Sequence, residues 1–164
     1  MRISVITAVF NAKDTIVDAI ESVLSQSHDD IELVVIDGSS TDGTKELIEI
    51  YRDRIHIFIS EQDDGIYDAL NKGIKLATGD VVGFLHADDL FESNSVLSDV
   101  AAAFSTSSAD AVYGDLVYVS KNSPNNIIRY WKSGHYSAEK LAMGWMPPHP
   151  TLYVRREVYE KWGR

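Results

Sequence analysis

The chain has 164 residues, 45% of them hydrophobic and 24% charged, and a formal net charge of −10. This length and balance suit one domain around one core, and the acidity argues against a general nucleic-acid binder, whose surface needs a basic stripe to neutralise phosphates. The absence of cysteine excludes disulfides and thiolate metal sites and permits a reducing compartment, and neither a signal-peptide core nor an apolar run of about 18 residues is present, so the expectation is a soluble piece.

Ile3 to Val9 is apolar and β-branched and runs into Phe10-Asn11-Ala12-Lys13-Asp14, a loop suited to opening a helix, so the first strand is predicted to end near Phe10. Ile16, Val17, Ile20, Val23 and Leu24 recur at helical spacing, with Asp14 and Asp18 near the positive end of the helix dipole. Ile31 to Ile36 predicts a second strand, and Asp37 to Thr44 a turn and the start of a helix reaching Tyr51. A third strand over Ile55 to Ile59 and a polar turn, Ser60 to Gly65, precede a helix carrying Ile66, Leu70, Ile74 and Ala77. Val81 to Leu85 is the fourth strand, and it stops on His86-Ala87-Asp88-Asp89. A helix from Ser93 to Phe104 follows, then strand-like Ala111 to Val119, a hairpin turn at Ser123-Pro124-Asn125-Asn126 and a strand over Ile127 to Trp131.

This alternation predicts an α/β fold, a Rossmann-like three-layer α/β/α arrangement whose central sheet is mainly parallel and mixed in its late part. Ligands of such sheets bind beyond the carboxyl ends of the strands. Asn11, Asp37, Ser39, Glu61 to Asp64, Asp88 and Asp89 all fall at those ends. Singly, each is an ordinary turn or cap residue, and Asp88-Asp89 alone reads more readily as a cap on the next helix; in register at one edge they predict a shared site. Neither G-x-G-x-x-G nor a P-loop occurs. A divalent ion held by carboxylates, Mg²⁺ or Mn²⁺, is therefore the expected partner of any phosphates.

Taken in order, Ser4 to Asn11, Ser22 to Ser27, Val35 to Thr44, Ser60 to Ile74, Ala77 to Asp80 and the Asp88-Asp89 pair resemble the motifs of family 2 glycosyltransferases with the GT-A fold. The resemblance implies transfer of a sugar from a nucleoside diphosphate-sugar, UDP by preference, to an acceptor hydroxyl with inversion, aided by Mn²⁺ or Mg²⁺. By position, Phe10 would lie against the base, with hydrogen bonds from the backbone around Ala8 and the Asp37-Gly38 turn. Asn11 and Ser39 fall in the same nucleotide-sugar-binding set. Asp68 and Asn71 would point toward the donor, Asp88 would approach the ribose and Asp89 would ligate the ion. Without the family, Phe10 reads equally well as a core aromatic, and Asp68 with Lys72 as an i, i+4 surface pair.

Two departures stand out. Asp37-Gly38 occupies a place where many members have two aspartates, and His86 one where Asp or Asn is common, so His86 reads as a ligand, as a donor supporting a ligand, or as a plain strand-end residue. Gly144 to Pro150 and Thr151 to Arg156 resemble the acceptor-side loop and strand of the family, with His149 facing the acceptor. The family's general base lies on an acidic stretch further on, so the catalytic residue is expected beyond Arg164, and residues 1–164 are expected to form a single nucleotide-sugar-binding domain lacking its acceptor part; Asp115 does not match the base position. The resemblance also implies a saccharide or lipid-linked saccharide acceptor, polysaccharide biosynthesis, and a cytoplasmic site at the inner face of the membrane with peripheral association. A non-catalytic nucleotide-sugar-binding module and a nucleotidyltransferase of similar fold are the alternatives. The latter calls for a Gly- and Lys/Arg-rich loop after the first strand, which Thr7 to Asp14 is not.

Overall fold

The structure, a computed structural model, describes residues 1–120 and 123–163. Strands β1 (Ile3–Val9), β2 (Ile31–Asp37), β3 (Ile57–Ser60) and β4 (Val81–Phe84) alternate with helices α1 (Ile16–Leu24), α2 (Thr44–Glu49) and α3 (Ile66–Leu76). Helix α4 (Val96–Ser105), strands β5 (Ala111–Val112), β6 (Leu116–Ser120) and β7 (Ser123–Trp131), helix α5 (Ala138–Ala142), strand β8 (Tyr153–Arg155) and helix α6 (Arg156–Trp162) follow. The central sheet has six strands in the order β3-β2-β1-β4-β8-β5. Its first four run parallel, β1 pairing with both β2 and β4, and β2 with β3.

Every residue of β1 is buried, as a parallel strand covered on both faces requires. The alternation of its side chains splits the core. Ile3, Val5 and Val9 pack with Ile16, Ile20 and Val23 of α1 and with Leu97 and Phe104 of α4; Ile6 and Ala8 pack with Val34 and Ile36 of β2 and with Ala69 and Ile74 of α3. Each fully buried Val, Leu, Ile or Phe among them contributes about 1.5–3 kcal/mol. Gly73 lets α3 lie directly on β1, because a Cβ there would collide with the side chain of Ile6.

At the end of the sheet where β1 begins, buried Glu32 accepts from Ser4 Oγ at 2.5 Å and from the Thr78 N–H and Thr78 Oγ1 at 2.7 Å each, and pairs with Arg2 at 3.3 Å. Burial pulls its carboxyl upward, but the Ser4 and Thr78 hydrogen bonds and Arg2 outweigh it and hold Glu32 below the usual carboxylate range.

The late part of the chain differs from expectation. Ala111 to Val119 is not one strand: β5 belongs to the central sheet, whereas β6 pairs antiparallel with β7 in a separate two-stranded sheet. The break falls where Asp115 is pinned, its carboxylate accepting from the Ser133 N–H at 3.0 Å, Ser133 Oγ at 2.7 Å and Tyr130 OH at 3.0 Å. Ser123 to Asn126 lies within β7 instead of forming a turn. The mixed direction of the central sheet comes from β8, which lies antiparallel between β4 and β5. Its Tyr153 ring covers Gly83, where any Cβ would strike it. Helix α2 is shorter than expected, and a 3₁₀ turn over Arg52–Arg54 delays the third strand to Ile57. Among the described residues no helix is long and apolar enough to cross a membrane.

Candidate active site

The carboxyl ends of β1, β2, β3 and β4 open into a cleft of about 1090 Å³, bounded by Ala8 to Thr15, Gly38, Ser39, Gln62, Asp63 and His86 to Asp88, with His149 from the loop before β8. The loops after β1 and β2 are stitched together. The Asn11 N–H donates to Ser40 Oγ at 2.8 Å, Asn11 Oδ1 accepts from the Thr41 N–H at 2.9 Å, and the Ala12 N–H donates to Thr44 Oγ1 at 2.8 Å. Asp42 accepts from Thr44 through both backbone and hydroxyl and from the Lys13 N–H, and its carboxyl is held below the ordinary range, chiefly by the Thr44 hydroxyl. Asn11 and Ser39 both take positive φ, 49° and 64°, a conformation that Asn visits more readily than most residues. This stitching leaves the Phe10 ring 64% exposed at the cleft wall. Phe10 is thus a surface aromatic, unlike Phe104, which is 2% exposed.

Asp37 plays a structural part. It is fully buried, and its carboxylate accepts from the Ser40 N–H at 3.2 Å and from Ser60 Oγ at 2.7 Å. The backbone of the same turn is committed too, the Gly38 N–H donating to the Val9 carbonyl and the Asp37 carbonyl accepting from the Glu61 N–H, each at 2.9 Å. The Asp37 carboxylate and carbonyl and the Gly38 N–H are thus engaged within the fold, while Gly38 and Ser39 line the cleft.

Asp68 accepts from the Asp64 N–H at 3.3 Å and pairs with Lys72 at 3.1 Å, while Lys72 also reaches Glu61 at 3.0 Å. The Asp64 N–H and Lys72 hold the Asp68 carboxyl low, and Glu61 foremost holds the Lys72 ammonium high. Neither Asp68 nor Asn71 lines the cleft. The structure thus brings Ala8, Phe10, Asn11, Gly38, Ser39, Asp88 and His149 to one cleft and leaves Asp37, Asp68, Asn71 and Asp89 outside the lining.

Beyond β4 the chain turns sharply, the Asp89 N–H donating to the His86 carbonyl at 3.0 Å. Asp88 is exposed to the cleft and Asp89 is half-buried beside it. Burial, and then the charge of Asp88, push the Asp89 carboxyl above its ordinary range against the pull of His86 and His149. Neither acid caps α4, whose N-cap is Ser95. His86 Nε2 lies 3.1 Å from His149 Nε2, with the rings edge-on at 5.2 Å between centroids. At that distance one ring nitrogen donates and the other accepts. Nothing local in the sequence announces this pair, because it depends on β8 returning beside β4.

Among the described residues no three His, Cys, Asp or Glu side chains converge as a closed metal cage. The donor set nevertheless fits a divalent ion completed by its substrate, since Mg²⁺-type sites take one or two carboxylates together with phosphates. A cation at Asp88 and Asp89 would relieve both their mutual repulsion and the cost of burying Asp89. Asp115, held low chiefly by Ser133 and already triply hydrogen-bonded, is poorly suited to accept a proton.

Comparison with known proteins bears on the whole chain. An uncharacterized glycosyltransferase of Nostoc is 37% identical over 174 aligned positions, covering 98% of this chain and 53% of that protein. Among solved structures, the Pyrobaculum calidifontis mannosyltransferase PcManGT in complex with GDP-Man and Mn²⁺ superposes with a TM-score of 0.76 at 22% identity, over 99% of this chain and 46% of that one. S. aureus TarS in complex with UDP-GlcNAc does so with a TM-score of 0.74 at 21% identity, over 98% and 47%. The chain thus spans about half the length of the proteins it matches. The family model described as glycosyl transferase family 2 matches residues 4–161, and with the six-stranded, mainly parallel sheet that superposes on GT-A enzymes, the chain belongs to glycosyltransferase family 2 and has the GT-A fold.

Proposed function

We propose that the cleft binds a nucleoside diphosphate-sugar, UDP-linked by preference, and that residues 1–164 form the donor-binding domain of an enzyme that transfers the sugar to an acceptor hydroxyl with inversion. The observation that carries this reading is an exposed aromatic, Phe10, and an exposed acid, Asp88, meeting at one cleft, with Asp89 half-buried beside Asp88. Phe10 gives a base a face to stack on. Asp88 accepts from the ribose hydroxyls, and Asp89 beside it would hold a divalent ion, Mn²⁺ or Mg²⁺. Such an ion would stabilise, as a Lewis acid, the charge that develops on the leaving diphosphate. The acceptor oxygen attacks the anomeric carbon from the face opposite the diphosphate, the bond from that carbon to the diphosphate oxygen breaks, and the acceptor proton passes to a general base outside residues 1–164. His149, held by His86, stands on the acceptor side.

The acceptor proposed is a saccharide or lipid-linked saccharide, used in polysaccharide biosynthesis at the cytoplasmic face of a membrane. A non-catalytic donor-binding module is the second reading, favoured by the prior engagement of Asp115. Turnover of UDP-sugars by this chain and by a chain continuing past Arg164 separates the two. A missing general base is worth about 10²–10⁴ in rate, so the longer chain is expected to be faster by that factor. Negligible turnover in both with donor binding intact supports the module, and no binding of any nucleoside diphosphate refutes both.

A further inference from the structure

Asp63 sits in the cleft wall beside Gly38 and in a different position from the other acids at the strand ends. Its Oδ1 accepts from the Gly65 N–H at 3.0 Å, which fixes the plane of the carboxylate. Its Oδ2 lies against the backbone of Gly38, so closely that a Cβ on residue 38 would fall 2.7 Å from it. Among the described residues no donor or cation engages that second oxygen. The neighbouring acid cannot take its place, since Asp37 is fully buried and its carboxylate already serves Ser40 and Ser60. The missing side chain of Gly38 thus makes room for the Asp63 carboxylate in this position, and a Cβ at 38 would displace its Oδ2.

We infer that Asp63 reads the edge of the nucleobase and selects bases that present a ring N–H on that edge. This rests on the donor-binding reading above. An ionised carboxylate only accepts hydrogen bonds. Uracil N3–H and guanine N1–H offer it a donor, whereas cytosine N3 and adenine N1 turn a lone pair toward it. A hydrogen bond to a charged group, lost and replaced by lone-pair repulsion, changes affinity by about tenfold or more. The glycine at 38 follows from the same requirement, because a side chain there would push Oδ2 away from the base edge.

The test is calorimetric titration of UDP against CDP, and of GDP against ADP, in the presence of Mn²⁺. The unsubstituted chain is expected to favour the base with a ring N–H in at least one pair by about tenfold or more. Asp63→Asn puts an amide donor opposite the acceptor nitrogen, so the preference falls by at least that factor or inverts toward CDP or ADP. Gly38→Ala shifts the ratio in the same direction by displacing Oδ2. Thermal melting of each variant confirms that the fold is kept, and Asp63→Asn alone decides the matter if Gly38→Ala does not fold. An unchanged ratio in folded Asp63→Asn overturns the assignment while leaving donor binding intact. Failure of the unsubstituted chain to bind any of the four nucleotides overturns the donor-binding reading itself, and this inference with it.

Discussion

Replacing Phe10 by alanine separates a ligand platform from a core residue. The ring is 64% exposed, so its removal exposes little that was buried, and folding stability should change by no more than about 0.5 kcal/mol. Phe104, at 2% exposure, provides the contrast within the same fold: Phe104→Ala should cost about 3–5 kcal/mol through the cavity it leaves. For a domain of this size each kcal/mol moves the melting temperature by about 2–4 °C. Phe10→Ala should therefore melt within about 2 °C of the parent, and Phe104→Ala many degrees lower. Binding should show the reverse order. Base stacking on an aromatic is worth about 1–3 kcal/mol, so Phe10→Ala should weaken UDP by about 5- to 150-fold. Differential scanning fluorimetry and calorimetric titration read the two quantities on the same samples. A UDP affinity unchanged within about twofold, or a melting loss comparable to that of Phe104→Ala, refutes the stacking role.

Glu32→Gln should destabilise the fold by about 1–3 kcal/mol, because the amide cannot accept as the carboxylate does from Ser4 and Thr78 and leaves buried donors short of partners. Glu32 is held below its unfolded value of about 4.3, so its contribution is full above that pH and fades as pH falls through the lower, folded value. The stability gap between parent and Glu32→Gln, followed by chemical denaturation, should therefore narrow on acidification. A gap that stays constant into strong acid would contradict the assignment. Asp68→Ala should leave UDP affinity unchanged within about twofold and the melting temperature nearly unchanged, since its partner Lys72 keeps Glu61 and the site is exposed. A tenfold loss of affinity would instead place Asp68 in contact with the donor.

The parallel half of the fold is legible in the sequence because each of its strands is a continuous apolar run with its own turn signal, and each helix shows one buried stripe. Ile16, Ala19, Ile20 and Val23 are buried at the spacing the pattern implies. The carboxyl-terminal third is not legible in the same way. Strand β8 has three residues and owes its place to pairing with Val81 to Gly83 on one side and Ala111-Val112 on the other, so no local period reveals it. The separation of β5 from β6 depends on Asp115 and Ser133, partners 18 positions apart. At the site, position along the chain indicated which loops converge but not which side chains face the cleft. Asp37 and Asp63 are both acids at strand ends, yet one is buried under Ser40 and Ser60 and the other forms the wall. Exposure decides between them, and exposure is a property of the packed loops. The His86–His149 contact was hidden for the same reason.

The most direct measurement is the affinity of UDP with and without Mn²⁺ for the parent chain and for Asp89→Ala, by calorimetric titration. Mn²⁺ is expected to tighten UDP by about tenfold or more in the parent. In Asp89→Ala that gain should vanish while the metal-free affinity, which depends on Phe10 and the strand-end loops, is retained. An Mn²⁺ gain of the same size in both proteins would contradict the placement of the diphosphate and its ion at the end of β4.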